Sequence, residues 1–122
     1  MSPPDPKESV LDTSVLQGLR ELGGADDPGL LLELVELYLG DAPQRMAEIE
    51  RGLASGDWKL LERAAHTLKS ASANIGALGL SSICQELELE ARSRDSQRCA
   101  SLRQSSAECL ARVENALRNL RA

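Results

Sequence analysis

Eight apolar side chains, Leu31, Leu34, Val35, Tyr38, Ala42, Met46, Ile49 and Leu53, recur at spacings of three or four residues, with Leu34 and Val35 side by side. That period is helical and excludes a strand, whose apolar face repeats every second residue. A helix carrying the whole stripe spans about 35 Å and must bury one side against other elements. Pro43 falls inside the stripe, where it removes a backbone donor and disturbs the preceding turn. Because the stripe keeps its phase across Pro43, the pattern predicts one helix kinked there rather than two. Asp27 and Pro28 suit its cap and first helical position, and the "SGD" at 55–57 ends it.

Shorter stripes of the same period flank this segment. In "LDTSVLQGLRELGG" Asp12 reads as an N-cap, Leu16 and Leu19 point inward, and Gly23-Gly24 stop the helix. Asp57 caps "WKLLERAAHTLKSASANIG", with Leu61, Ala64, Ala65, Leu68, Ala71 or Ser72, and Ile75 inward. Gly76 and Gly79 then form a tight connection to "LSSICQELELEARSR", whose stripe is Leu80, Ile83, Cys84, Leu87 and Ala91. After the polar break "SRDSQ", a last helix turns Cys99, Leu102, Cys109, Val113, Leu117 and Leu120 inward. Aromatics are only 2% of the chain, so the core is built from Leu, Ala, Val and Ile. Trp58, Tyr38 and Met46 read as packing residues. The expected fold is all-α: an antiparallel four-helix bundle with a short N-terminal capping helix, over residues 10–122. Pro3, Pro4 and Pro6 mark residues 1–9 as a disordered lead or linker.

The net charge of -5 argues against nucleic-acid binding. Charge is uneven: from Arg92 onward seven Arg face only Asp95, Glu108 and Glu114. This basic end either helps the last helix dock on the acidic remainder, steers a partner, or is simply a solvated face. Cys84, Cys99 and Cys109 are odd in number and form no CxxC, so they read as buried free thiols in a reducing compartment. The start "MSPPDPKESV" has no apolar leader core, and no stretch reaches the length of a membrane span. A cytoplasmic, monomeric protein without membrane contact is expected.

The single histidine, His66, lies about 200° around its helix from inward Leu68 and therefore points outward. Lys69 and Ser70 return to its face, and Ala73 and Ala77 continue the line with little bulk, leaving room for another protein's surface. An imidazole titrates near neutrality and keeps a nucleophilic ring nitrogen, and a cation one turn away offsets the charge of a phosphoryl group. Alternatives are a helical adaptor without phosphorylation, a metal or haem bundle, and a hydrolase. Glu62 and His66 share a face, but one histidine cannot build the usual bundle metal site. A lone histidine also lacks the oriented base and oxyanion donors of a hydrolase.

The stretch "AAHTLKSASANIGALGL" resembles the signature of histidine-containing phosphotransfer (HPt) domains, roughly A-H-x-L-K-G-x-x-x-x-x-G-x-x-x-L. Upstream, the run from "LLLELVELYLGDAP" through "ASGDWKLLERAAH" is similar to the family's, and "ICQELELEAR" resembles its C-x-x-L-E-x-x-A-R segment. The resemblance covers about residues 10–94. It implies that His66 is the phosphoacceptor, that Lys69 steadies the phosphoryl oxygens, and that Glu88 orients the imidazole; a solvated carboxylate is the alternative for Glu88. Ser70 stands where the family usually has Gly, and Gly76 matches its second Gly, which a helix C-cap explains equally well. With Ser70, Ala73, Gly76 and Ala77 as binding positions, the implied partners are receiver domains of response regulators or hybrid kinases. The implied Mg²⁺ belongs to the receiver, and the chain holds no metal or cofactor of its own. Without a nucleotide loop the domain is a phosphocarrier, not an enzyme, either free-standing or part of a hybrid sensor kinase.

Overall fold

The computed structural model describes residues 10–23 and 29–121. The expected lead at 1–9, Gly24, and the Asp27 and Pro28 helix start lie outside them. Among the described residues there are five helices: α1 (Thr13–Gly23), α2 (Leu30–Ser55), α3 (Trp58–Asn74), α4 (Leu78–Arg92) and α5 (Ser96–Arg121). Each of α2 to α5 packs on the next and α5 returns to α2, which closes the four-helix bundle, while α1 lies on α2.

The helices begin and end where local chemistry dictates. Asp12 Oδ1 accepts the backbone N–H of Ser14 at 2.8 Å and caps α1. α2 runs unbroken through Pro43 to Gly56, whose left-handed φ of 72° lets its N–H reach Gly52 O. Asp57 then accepts the N–H of Leu60 at 3.1 Å and starts α3. Gly76, at φ 85°, makes the turn from α3 to α4. Gly79 does not share in that connection: it lies in the first turn of α4, because one left-handed residue suffices to reverse the chain.

The stripes meet as expected. Val35, Ile49, Leu61, Ala65, Leu68, Leu80, Cys84, Leu87, Val113 and Leu117 are fully buried, and Trp58 packs at the margin of this core. Leu110 joins it as well. Both residues of the Ala71 or Ser72 alternative contribute, Ser72 fully buried and Ala71 partly. Buried Ser72 is satisfied by Tyr38, the two hydroxyls lying 2.8 Å apart between α2 and α3. Burial raises the Tyr38 pKa, which keeps the phenol neutral. Tyr38→Phe removes this bond inside the core, and thermal unfolding is expected to show a loss of about 1–2 kcal/mol.

All three cysteines are free and buried. Burial pushes the Cys84 thiol up to about 12 and raises the other two, so none is a ready nucleophile. The basic end does touch acidic neighbours: Arg98 approaches Glu90 at 3.9 Å and Arg103 approaches Glu50 at 3.6 Å. Such exposed pairs contribute about 0–1 kcal/mol each, so apolar burial is what seats α5. No helix among the described residues is long and apolar enough to cross a membrane.

Candidate functional site

The inward residues Ala64, Ala65 and Leu68 fix the rotation of α3, and that rotation sends His66 out of the bundle at its seam with α4. The His66 side chain is 59% exposed, whereas Glu88, across the seam on α4, is 5% exposed. Glu88 is thus buried rather than a solvated carboxylate. It sits between the core residues Leu87 and Ala91 and turns its two oxygens to the helix–helix groove.

Three nitrogens converge on that carboxylate. His66 Nδ1 is 3.0 Å from Glu88 Oε2, Lys69 Nζ donates to Oε1 at 2.8 Å, and Arg92 Nη2 donates to Oε2 at 3.2 Å. Helical spacing explains the convergence: His66 and Lys69 are three residues apart on α3, and Glu88 and Arg92 four apart on α4. Two further contacts frame the cluster. Arg92 Nε donates to Glu62 Oε1 at 2.6 Å, and Lys69 Nζ donates to Gln85 Oε1 at 2.8 Å. Ser81 Oγ donates to Lys69 O at 3.0 Å, tying the start of α4 to the His-bearing helix.

Burial alone raises the pKa of Glu88, but hydrogen bonds from Lys69 and His66, with their charges, outweigh it and hold the carboxyl below its ordinary value. Glu88 is therefore ionised near neutral pH. As an acceptor it selects the tautomer with hydrogen on Nδ1, which leaves the lone pair on Nε2. The stability Glu88 adds is complete above the ordinary carboxylate pKa of about 4.3 and is lost as pH falls through its lower folded value. A carboxyl-carbon NMR titration is expected to show a Glu88 midpoint below the ordinary glutamate value, moving up in Lys69→Met.

Lys69 is where expected on the face of His66, but in this state its ammonium is held by α4. Ser70 is exposed one turn beyond the imidazole, and Ala73 is half-buried. Ala77 and Gly76 are both buried and do not extend the outer line. α3 ends at Asn74, so the helical rotation that would bring Ala77 outward no longer applies. Gly76 instead holds α1: its carbonyl accepts the Asp12 N–H at 2.7 Å, and a Cβ at Gly76 would come within 3.0 Å of Asp12 O.

Gln85 and the role of Glu62 at this site were missed in the sequence. The signal available was spacing, since Gln85 lies one turn before Glu88 and Glu62 one turn before His66. Glu62 shares the His66 face as expected, yet its carboxylate takes Arg92. A second concave feature, an open and mostly apolar hollow of about 640 Å³ between α1, α2 and α3, is lined by Leu19, Leu34, Leu37 and Tyr38 with Ala71 and Ile75.

The fold and sequence have known counterparts. The Pseudomonas aeruginosa histidine-containing phosphotransfer protein B superimposes with a TM-score of 0.85 at 30% identity, over 93% of this chain and 96% of that one. A maize histidine-containing phosphotransfer protein, ZmHP2, has a TM-score of 0.82 at 23% identity over 93% of this chain and 83% of that one, a likeness of fold. The sensory/regulatory protein RpfC of Xanthomonas campestris is 35% identical over 80 residues, which are 66% of this chain and 11% of that protein. The chain thus matches only a small part of RpfC. The profile of the Hpt domain matches residues 33–122, and with His66 set at the seam of such a bundle, the chain belongs to the Hpt domain family and to two-component phosphorelay signalling.

Proposed function

We propose that His66 is a reversible phosphoryl carrier between receiver domains. The observation that carries this reading is an exposed imidazole whose Nδ1 is held by a buried, ionised carboxylate. The Nε2 lone pair attacks the phosphorus of a receiver's aspartyl phosphate; the Nε2–P bond forms as the P–O bond breaks, and the aspartate leaves as carboxylate. The ring keeps its Nδ1 hydrogen and becomes cationic, and Glu88 stabilises that charge. Lys69 offsets the charge of the phosphoryl oxygens, and Ser70 offers a hydroxyl beside them. Reversal onto a second receiver's aspartate returns His66 to its starting state. The receiver supplies the Mg²⁺ site, while this chain supplies the nucleophile and its orientation.

The receiver docks over the outward faces of α2 and α3, reaching His66 past Ser70 and Ala73. In this reading the reaction runs in the cytoplasm, with the domain acting as a monomer, alone or within a hybrid sensor kinase. The test is incubation with a panel of ³²P-loaded receiver domains from the same organism. Mg²⁺-dependent, acid-labile and alkali-stable label on this chain supports the carrier. A folded bundle that takes label from no receiver would instead be an adaptor.

A further inference from the structure

We infer that Gln85 is a positioning residue for Lys69, holding its ammonium beside the phosphoryl site without neutralising it. This rests on the phosphocarrier reading of His66.

A lysine ammonium has three N–H donors at the end of a flexible stem. Here one goes to Glu88 Oε1 and one to Gln85 Oε1, each at 2.8 Å. The two acceptors stand three residues apart on α4, so they fix Nζ at two points, and the third donor remains for a phosphoryl oxygen. Fixing the stem beforehand removes the rotamer entropy that Lys69 would otherwise lose during transfer.

The second acceptor is an amide, and its neutrality matters. Glu88 already takes nitrogens from His66, Lys69 and Arg92, so its charge is shared among three groups. A second carboxylate at position 85 would belong to Lys69 alone and would offset the positive charge that an incoming phosphoryl group needs. Gln85 is exposed and Lys69 mostly covered, so the amide restrains the ammonium from the solvent side. Nothing in the core depends on Gln85.

The test uses phosphoramidate as the phosphoryl donor, which removes any dependence on an unidentified receiver. The Nε2–P bond forms as the P–N bond of the donor breaks, and ammonia leaves with the electron pair. Phosphohistidine formation and decay are followed by ³¹P NMR, and folding by circular dichroism. Gln85→Met keeps the length of the side chain but lacks the strong acceptor, and is expected to slow labelling about three- to tenfold. Gln85→Glu keeps the acceptor and adds charge, and is expected to be slower still. In a Lys69→Met background, Gln85→Met is expected to change nothing further.

Labelling of Gln85→Met at the parental rate, or an equal effect with and without Lys69, overturns the inference while leaving His66 as the acceptor. A parent chain that takes no label, or a His66→Gln chain labelled as well as the parent, overturns the carrier reading and this inference with it.

Discussion

The His66→Gln chain is expected to fold as its parent does and to carry no phosphoryl group from any donor. Two structural facts separate the effects. His66 is mostly exposed and contributes nothing to the packed core, so its replacement changes stability by about 1 kcal/mol or less. Among the described residues its side chain bonds to Glu88, which retains Lys69 and Arg92 when the imidazole is gone. Chemically the loss is complete, because a carboxamide nitrogen is not a nucleophile and no other histidine exists in the chain. The measurement is label per chain beside an unfolding curve: background label with an unchanged midpoint is the expected pair. Residual acid-labile label would place the acceptor elsewhere.

Gly52→Val is expected to have the opposite profile, a large loss of stability with no change in the chemistry of the imidazole. Gly52 is buried in α2, and a Cβ there would stand 2.9 Å from the backbone N of Leu61 and 3.0 Å from Asp57 O. These are main-chain atoms of the first turn of α3 and its cap, which cannot swing aside as a side chain would. The carbonyl of Gly52 also accepts the Asp57 N–H at 2.8 Å, so displacing α3 weakens the turn as well. Valine is expected to cost about 3 kcal/mol or more, lowering the melting midpoint by about 10–20 °C. Gly40, in the same helix, is the control. A Cβ there meets nothing within 4 Å, and Gly40→Ala is expected to stabilise by about 0.5–1 kcal/mol through helix propensity.

That contrast marks what a single sequence conveys. Apolar period located the helices and their inward faces, because burial of Leu, Val and Ala stripes leaves a repeat that can be read directly. It also set the outward direction of His66. It did not distinguish Gly52 from Gly40, since close backbone approach depends on which helix crosses at that point. It failed at Ala77, past the end of α3 at Asn74, where the residue turns inward with the α3–α4 turn. Gly79 shows the same limit, because a glycine in a first helical turn looks like one in a loop. For Glu88, the HPt resemblance supplied the position, but its burial required the antiparallel register of α3 and α4, which brings residues 22 apart into contact. Gln85 was missed for the same reason of register: its partner Lys69 is 16 residues away on a different helix.

The placement of the three thiols gives this bundle an internal clock. Cys84 lies on α4, and Cys99 and Cys109 lie near the start and the middle of α5, all closed to solvent. A small thiol reagent can reach each one only when the surrounding helix opens, so its rate of modification measures the local opening equilibrium at that point. If α5 frays from its beginning, Cys99 reacts ahead of Cys84; if the bundle opens as one unit, all three react together. The protein thus carries, at native positions, probes that tell peeling of the last helix from collective unfolding.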